Sequence, residues 1–145
     1  MDRVDFTVPG TPLAWARARV LAKDGKPRFF TPPARLQYMN HIIMCAQTSL
    51  DWPREPWDGP VYLAVRVVFP RPKRLMRRKD PDGEVWCVRK PDVDNLVKIV
   101  CDALSRAGLW RDDAQVAMIL VRKEWASKTG APRLEVQAER LLWSR

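Results

Sequence analysis

The sequence predicts an α+β fold, in which a small β-sheet carries two main helices on one face. Three observations support this prediction. Two segments repeat apolar residues at helical spacing, several short segments have the apolar patterns of strands, and the length of 145 residues suits one domain. No internal repeat divides the chain, so we expect a single domain over residues 1–145.

The first half of the chain predicts four strands and one helix. The alternating segment VDFTVPG at 4–10 predicts a strand that ends in a turn, and RVLAKDGKPRFF at 19–30 predicts a hairpin around its Asp-Gly pair. A Thr-Pro-Pro start and apolar residues at helical spacing predict an amphipathic helix over 33–50. The mostly apolar VYLAVRVVF at 61–69 predicts a central strand.

The second half begins with a basic segment at about 70–88, which has no apolar period and predicts an exposed loop. Apolar spacing predicts a helix over 93–107, which Gly108 would end. Segments 114–126 and 133–141 predict two strands, which we expect to pair as a hairpin across SKTGAP.

The charge balance indicates a polyanionic partner, with nucleic acid the first candidate. The chain has 26 Lys and Arg against 17 Asp and Glu, a formal net charge of +9. No apolar run approaches the ~18–20 residues of a membrane-spanning helix, and the first residues lack the apolar stretch of a signal peptide. We therefore expect a soluble, cytoplasmic protein.

The numbers and positions of cysteine and histidine limit the metal sites and catalytic mechanisms that this chain can have. The three cysteines are scattered without a CxxC pair, which argues against a zinc cluster and favours packing thiols. His41 is the single histidine and falls in a predicted helix, so catalysis by a histidine-activated nucleophile would depend on it alone. Hydrolysis by this chain would instead depend on carboxylates.

Two acidic pairs flank the second predicted helix. If the backbone before that helix is extended, Asp92 and Asp94 project to the same side and their repulsion is relieved by a cation between them. Mg²⁺ binds through one or two such carboxylates and keeps positions for water and phosphate. If the strand after Asp112-Asp113 passes the helix N-terminus, three acids can surround one metal or bridge two.

One face of the same helix is polar. Lys98 follows Asp94 by one turn, beside Asn95 and Asp102. Lys98 can bind a scissile phosphate and offset the charge that develops on it, and the helix N-terminus adds positive potential at the same place.

Each of these residues also has a structural interpretation. Asp92 or Asp94 can simply cap the helix, and Asp112-Asp113 can form an ordinary turn. Lys98 with Asp94 can be a surface ion pair of little energetic consequence. Asp102 can be an exposed charge or a partner of Arg106.

The run KPDVDNLVKIVCDALSRAGLWRDDAQV at 90–116 resembles the signature of RusA-type Holliday-junction resolvases, small endodeoxyribonucleases often carried by phages and prophages. VPGTPLAWARARV and the Thr-Pro entry to the first helix resemble the N-terminal half of that family. The resemblance covers nearly the whole chain, with the basic loop its weakest part. It implies a compact α+β unit with a mixed sheet.

The resemblance implies an activity and its residues. A homodimer would make paired nicks in a four-way junction during DNA recombination and repair, using Mg²⁺ or Mn²⁺ and no small-molecule cofactor. The essential carboxylates of the family correspond to Asp92, Asp94 and Asp113, and its catalytic lysine to Lys98. Asp112 and Asp102 match secondary acidic positions as further candidate metal ligands.

DNA binding is predicted for basic residues of the loop and the N-terminal segment. The candidates are Arg17, Arg19, Arg71, Lys73, Arg74, Arg77, Arg78, Lys79 and Lys90. Such a run of charges can also be an exposed surface that contacts only water. Two alternative functions stay open: a less selective branched-DNA or flap nuclease, and a basic DNA-binding protein without catalysis.

Overall fold

The structure, a computed structural model, describes residues 2–14, 19–23, 26–30 and 33–143. In this part of the chain there are seven strands and two helices. They are β1 (Arg3–Pro9), β2 (Arg19–Lys23), β3 (Lys26–Phe30), α1 (Pro33–Gln47), β4 (Val61–Phe69), β5 (Val85–Trp86), α2 (Val93–Ala107), β6 (Val116–Trp125) and β7 (Arg133–Arg140). The predicted α+β class is confirmed.

Five strands form a mixed sheet in the order β1-β7-β4-β6-β5, and β2 pairs with β3 as the predicted hairpin, whose turn lies outside the described residues. β4 pairs in parallel with β6 and antiparallel with β7. It is the third strand of five, so the predicted central position of residues 61–69 is confirmed.

The predicted hairpin between residues 114–126 and 133–141 is wrong, because β4 lies between β6 and β7. β4 is buried or half-buried along its whole length. Such a strand is stable inside a sheet, where it needs a neighbour on each edge, and β6 and β7 are those neighbours. The segment that connects them has only to cross one strand, about 10 Å.

The two helices pack against each other, α1 over β1 and α2 over β6. Their apolar sides contribute buried residues to one core with the inward side chains of β4 and β7. Helix α1 ends at Gln47, before the predicted end at residue 50, because the Ser49 amide donates to the carbonyl of Ala46 and tightens the last turn. Leu50 is consequently 98% exposed.

Helix α2 has the predicted bounds, Val93–Ala107. It buries six residues against the sheet and α1: Leu96, Ile99, Val100, Cys101, Ala103 and Leu104. Gly108 ends it with φ of 85°, and its amide donates to the carbonyls of Leu104 and Ser105. The predicted helix and its glycine stop are therefore confirmed.

The basic segment is more ordered than the predicted exposed loop. A 3₁₀ turn forms at Lys73–Leu75, and β5 pairs with the end of β6. The Arg71 guanidinium donates to the carbonyls of Leu75, Gly83 and Ala126, which draws the two ends of the segment together. Sequence patterning does not reveal such a fold because it depends on one side chain that binds backbone carbonyls. No helix in the described ranges is long and apolar enough to cross a membrane.

Candidate active site

Asp92 and Asp94 lie exposed at the N-terminus of α2. Asp92 is the residue before the first helical turn, with extended backbone (φ −74°, ψ 152°), and its side chain makes no capping hydrogen bond. Asp94 is the acidic residue of the first turn, where the helix dipole favours a negative charge. The alternative interpretation of Asp92 as a side-chain cap is therefore not what the structure shows.

The segment before Asp92 is held against the sheet. The Lys123 ammonium, on β6, donates to the carbonyl of Pro91 at 2.9 Å and also to that of Arg89. The C-terminal end of β6 thus lies beside the N-terminus of α2. Spacing in the sequence gave no sign of this role for Lys123.

Lys98, exposed one turn after Asp94, lies on the same helix face as Asp102 and Arg106. Burial, and then the Asp113 carboxylate, raises the pKa of the Asp102 carboxyl, while Lys98 and Arg106 act in the opposite direction. Asp102 therefore lies within electrostatic range of Lys98 and Asp113, two of the predicted catalytic residues.

Asp113 is held at the other end of the helix. The Ser105 hydroxyl donates to its Oδ1, and the Trp110 indole Nε1 donates to the same oxygen at 3.0 Å and to Ser105 Oγ at 2.7 Å. These bonds fix the carboxylate against the C-terminal half of α2. No sequence pattern indicated these contacts of Ser105 or of Trp110, which is buried in the core.

Asp112 caps the 3₁₀ turn Asp113–Gln115. Its side chain accepts a hydrogen bond from the Ala114 amide at 2.9 Å, and its own amide donates to Gln115 Oε1 at 3.0 Å. The two bonds form a capping box. The turn interpretation of this residue therefore applies, and a role as a secondary metal ligand stays a prediction.

The three predicted metal-binding acids do not come together within one chain. Asp94 and Ser105 are separated by about 16 Å along the axis of α2, at the ~1.5 Å rise of each helical residue. Asp113 is bonded to Ser105, so it lies far from Asp92 and Asp94. Within the described residues, no three acidic, cysteine or histidine side chains are arranged to hold a metal ion. β6 starts at the C-terminal end of α2 and reaches the helix N-terminus only at Lys123, so passage of the strand by that terminus does not bring Asp113 there.

Two of these acids nevertheless fit a hard cation by themselves. Asp92 and Asp94 are exposed carboxylates next to the positive end of a helix. Mg²⁺ commonly binds one or two carboxylates and fills its other positions with water and phosphate oxygens. The donor set at this helix terminus is thus suited to Mg²⁺ or Mn²⁺.

The predicted DNA-binding residues fall into three groups. Five basic residues of the loop are exposed: Lys73, Arg74, Arg77, Arg78 and Lys79; Lys90 is exposed as well. Arg71 is occupied by backbone carbonyls, and Arg77 forms an ion pair with Asp80 at 3.2 Å. Arg17 and the side chain of Arg19 lie outside the described part of the chain.

A strongly basic α+β protein that exposes paired carboxylates and a lysine along one helix has the features of a nucleic-acid-processing enzyme. A family model described as "Endodeoxyribonuclease RusA" matches residues 9–139. The chain is 35% identical over 141 residues to the "Uncharacterized protein YqaN" of Bacillus subtilis (strain 168), covering 94% of this chain and 95% of that one.

Two further relatives have names that state an activity. The "Crossover junction endodeoxyribonuclease RusA" of Escherichia coli (strain K12) and that of Enterobacteria phage 82 are each 50% identical over 48 residues, 33% of this chain and 38% of theirs. This chain belongs to the RusA endodeoxyribonuclease family. The predicted family is thereby confirmed, and membership implies nuclease activity.

Proposed function

We propose that this protein is a structure-selective endodeoxyribonuclease that resolves four-way DNA junctions by paired, metal-dependent hydrolysis of phosphodiester bonds. One observation carries the proposal. In a chain of the RusA family, Asp92 and Asp94 are exposed at the N-terminus of α2, and the Asp92 carboxylate is not used as a helix cap. The net charge of +9 supports a nucleic-acid substrate.

Asp92 and Asp94 are the proposed ligands of Mg²⁺ or Mn²⁺. When bound, such an ion supplies a water molecule of lowered pKa and stabilises negative charge on phosphate oxygens. Asp113 is the third acid of the proposed site, although in the same chain it lies at the far end of α2.

Lys98 and the N-terminus of α2 bind the phosphate in this proposal. The ammonium lies on the helix surface one turn beyond Asp94, where it can donate to a non-bridging phosphate oxygen. Charge on that phosphate increases in the transition state, so the lysine stabilises the transition state more than the bound substrate. The exposed residues of the basic loop contribute contacts to the DNA backbone.

A homodimer suits the proposed substrate. A four-way junction has approximate two-fold symmetry, and an isologous dimer presents two equivalent sites to opposed strands. Paired nicks at symmetric positions would follow from that arrangement.

Cleavage of three labelled substrates tests the proposal. A four-way junction, a flap and a plain duplex of matched sequence are incubated with the protein and Mg²⁺, with EDTA as the control. We expect symmetric nicks in the junction, little cleavage of the duplex, and no cleavage with EDTA. Equal cleavage of flap and junction would favour a less selective nuclease, and binding without nicks in either Mg²⁺ or Mn²⁺ would contradict the proposal.

A further inference from the structure

The sheet has a second face, turned away from the core, and this outer face carries charged side chains. On β4, Val65 and Val67 point into the core, so Arg66 between them points outward. Arg66 forms ion pairs with Glu124 of β6 and with Glu135 of β7, each at 3.0 Å. The Glu124 carboxylate therefore lies on the outer face, near the end of β6.

Trp86 lies on the same outer face, at the edge of the sheet. In the antiparallel pairing of β5 with β6 it is opposite Glu124, and opposed residues project to the same face. Trp86 is 68% exposed. A single exposed aromatic residue is common on protein surfaces, so exposure alone assigns no role to it. Trp86 differs from such residues because it forms one wall of a cleft.

This cleft lies between β5, the basic loop and the outer face of β6. Its volume is about 510 Å³, within the ~300–1,000 Å³ that is typical of small-molecule sites. Apolar and charged groups both contribute to its lining, among them Trp86, Pro81, Arg66, Arg122, Glu84 and Glu124. The cleft thus has an aromatic wall and polar groups at its base.

The charges inside the cleft balance, whereas the segment that carries Trp86 is strongly basic. Arg66 pairs with Glu84 at 2.9 Å, and Arg122 pairs with Glu124 at 3.0 Å. The same segment exposes five basic residues: Lys73, Arg74, Arg77, Arg78 and Lys79. A neutral cleft on a basic segment is complementary to a neutral group attached to a polyanion. A nucleobase on its phosphate backbone has this distribution of charge.

The polar and aromatic groups also match the chemistry of a nucleobase. Every base has a π-face that stacks on an aromatic ring, and the exposed Trp86 indole offers such a ring. The edge of a base carries both donors and acceptors. The Arg122 guanidinium, whose side chain is 52% exposed, can donate to ring nitrogens or carbonyl oxygens, and the Glu84 carboxylate can accept from amino groups.

Trp86 is held in place from both sides. Before it, the Glu84 carboxylate binds Arg66 and lies 3.5 Å from the Arg133 guanidinium. After it, the Cys87 amide donates to the carbonyl of Lys123 at 3.2 Å. An aromatic side chain on a fixed backbone loses little conformational freedom when a ligand stacks on it.

We propose that the cleft beside Trp86 binds one unpaired nucleobase of the DNA substrate, which stacks on the Trp86 indole. This inference rests on the nucleic-acid substrate of the function proposed above and adds a site for part of that substrate. Asp92 follows Trp86 by six residues, which span at most about 20 Å, so a strand held at the acids of α2 can reach the cleft.

Such a site contributes to selection between DNA structures. A base inside a duplex is paired and stacked, and it must be extruded, at a cost in free energy, before it can enter the cleft. That cost is smaller for single strands and for pairs at an opened branch point, which have a stacking neighbour on one side only. The cleft therefore favours branched or single-stranded DNA over plain duplex.

The first test compares strands with and without bases. Fluorescence anisotropy measures the binding of a short labelled single strand and of the same strand with abasic sites throughout, both in EDTA to prevent cleavage. Trp86→Ala should weaken binding of the base-bearing strand by at least about fivefold, the lower limit for loss of one stacked base, and leave binding of the abasic strand unchanged. Trp86→Phe, which keeps an aromatic face, should retain most of the affinity.

Two control variants accompany this test. Trp143→Ala removes a tryptophan that is 84% exposed beside Gly59, at the opposite end of the sheet from Trp86, and should bind both strands like the parent chain. Arg78→Ala removes a charge that contacts phosphate in the proposed function, and should weaken both strands by the same factor. A Trp86→Ala variant that weakens both strands equally, or neither, would overturn the proposed site.

Circular dichroism and light scattering separate loss of the site from other effects of the substitution. Trp86→Ala should keep the spectrum, the thermal transition and the molecular mass of the parent protein. A lower mass would assign Trp86 to a contact between copies of this chain and would overturn the proposal.

The second test compares a four-way junction with a plain duplex, again in EDTA. Trp86→Ala should weaken junction binding by at least about fivefold and leave duplex binding unchanged. A parent protein that never cuts DNA but has a base preference that depends on Trp86 refutes the nuclease and leaves the cleft supported. A parent protein that cuts junctions, with a Trp86→Ala variant that binds every probe like the parent, supports the nuclease and refutes the cleft.

Discussion

Asp94 is the residue on which the proposed chemistry depends most directly. It is exposed at the positive end of α2, where an amide can replace the carboxylate with little effect on packing. Asp94→Asn should keep junction binding within about twofold and reduce cleavage by at least about 100-fold, since loss of a direct metal ligand exceeds the 10–100-fold effect of losing a supporting group. Gel-shift and cleavage assays of one preparation measure both quantities.

The control for this substitution is Asp51→Asn, at another exposed aspartate, in the loop after α1. It makes the same change of charge outside the site and should leave both quantities unchanged. Undiminished cleavage by Asp94→Asn would remove this residue from the site.

The pH dependence of stability tests the environment of the Cys101 thiol, which is affected by burial and by the charges of Asp113 and Asp102. Burial, followed by the charges of Asp113 and Asp102, raises the pKa of its thiol from 9.0 to about 12. The folded state therefore favours the neutral thiol. Its contribution to stability is fully present below pH 9 and is lost as the pH rises towards 12.

Urea denaturation at pH 8, 9, 10 and 11 measures this effect through Cys101→Ser. The free energy of unfolding of the variant should decline less steeply above pH 9 than that of the parent chain. The difference between the two proteins at pH 8 serves as the internal reference, because the thiol is neutral in both states there. Parallel curves over the whole range would contradict the assigned environment.

At the scale of elements, the end of α2 depends on the left-handed conformation of Gly108. Its φ is 85°, and no atom outside its chain neighbours lies within 4 Å of the Cβ that a substitution would add. Backbone strain alone should therefore decide the effect of Gly108→Ala. We expect it to lower the free energy of unfolding by about 1 kcal/mol.

Gly83→Ala is the matched control, because Gly83 also has open space around its Cβ position but lies outside the positive-φ region. Urea denaturation should show a change near zero for this variant. Equal effects at the two positions would mean that the αL conformation of Gly108 is not the determining factor.

At the scale of the whole molecule, the net charge of +9 predicts that binding to DNA depends strongly on salt. Each neutralised phosphate contributes about 0.9 to the slope of log K against log salt. Arg78→Ala and Lys79→Ala, at exposed positions of the basic loop, should each reduce that slope by about this amount. Fluorescence anisotropy with a labelled junction between 50 and 200 mM salt measures it.

Arg54→Ala removes the same charge from the exposed loop between α1 and β4 and serves as the control. Its slope should match that of the parent chain. Loop variants with an unchanged slope would show that the basic loop is solvated rather than bound to phosphate.

Local sequence patterns were sufficient to predict much of the secondary structure of this protein. The 3.6-residue period of α2, its glycine stop and the apolar run of β4 each predict an element within its own residues. The adjacency of Asp92 and Asp94 at a helix start was equally visible, because two residues so close in sequence remain close in any fold. Composition indicated the class of substrate.

The tertiary structure decided which segments are neighbours. β7 lies beside β4 rather than β6, because an apolar strand needs a neighbour on each edge and no local pattern records which strand fills it. Asp113 lies at the C-terminal end of α2 because a short loop joins it to the end of the helix and its hydrogen bond with Ser105 holds it there. The length of α2, packed against α1 and β6, keeps Asp113 apart from Asp92 and Asp94, so the three predicted acids do not meet within one chain.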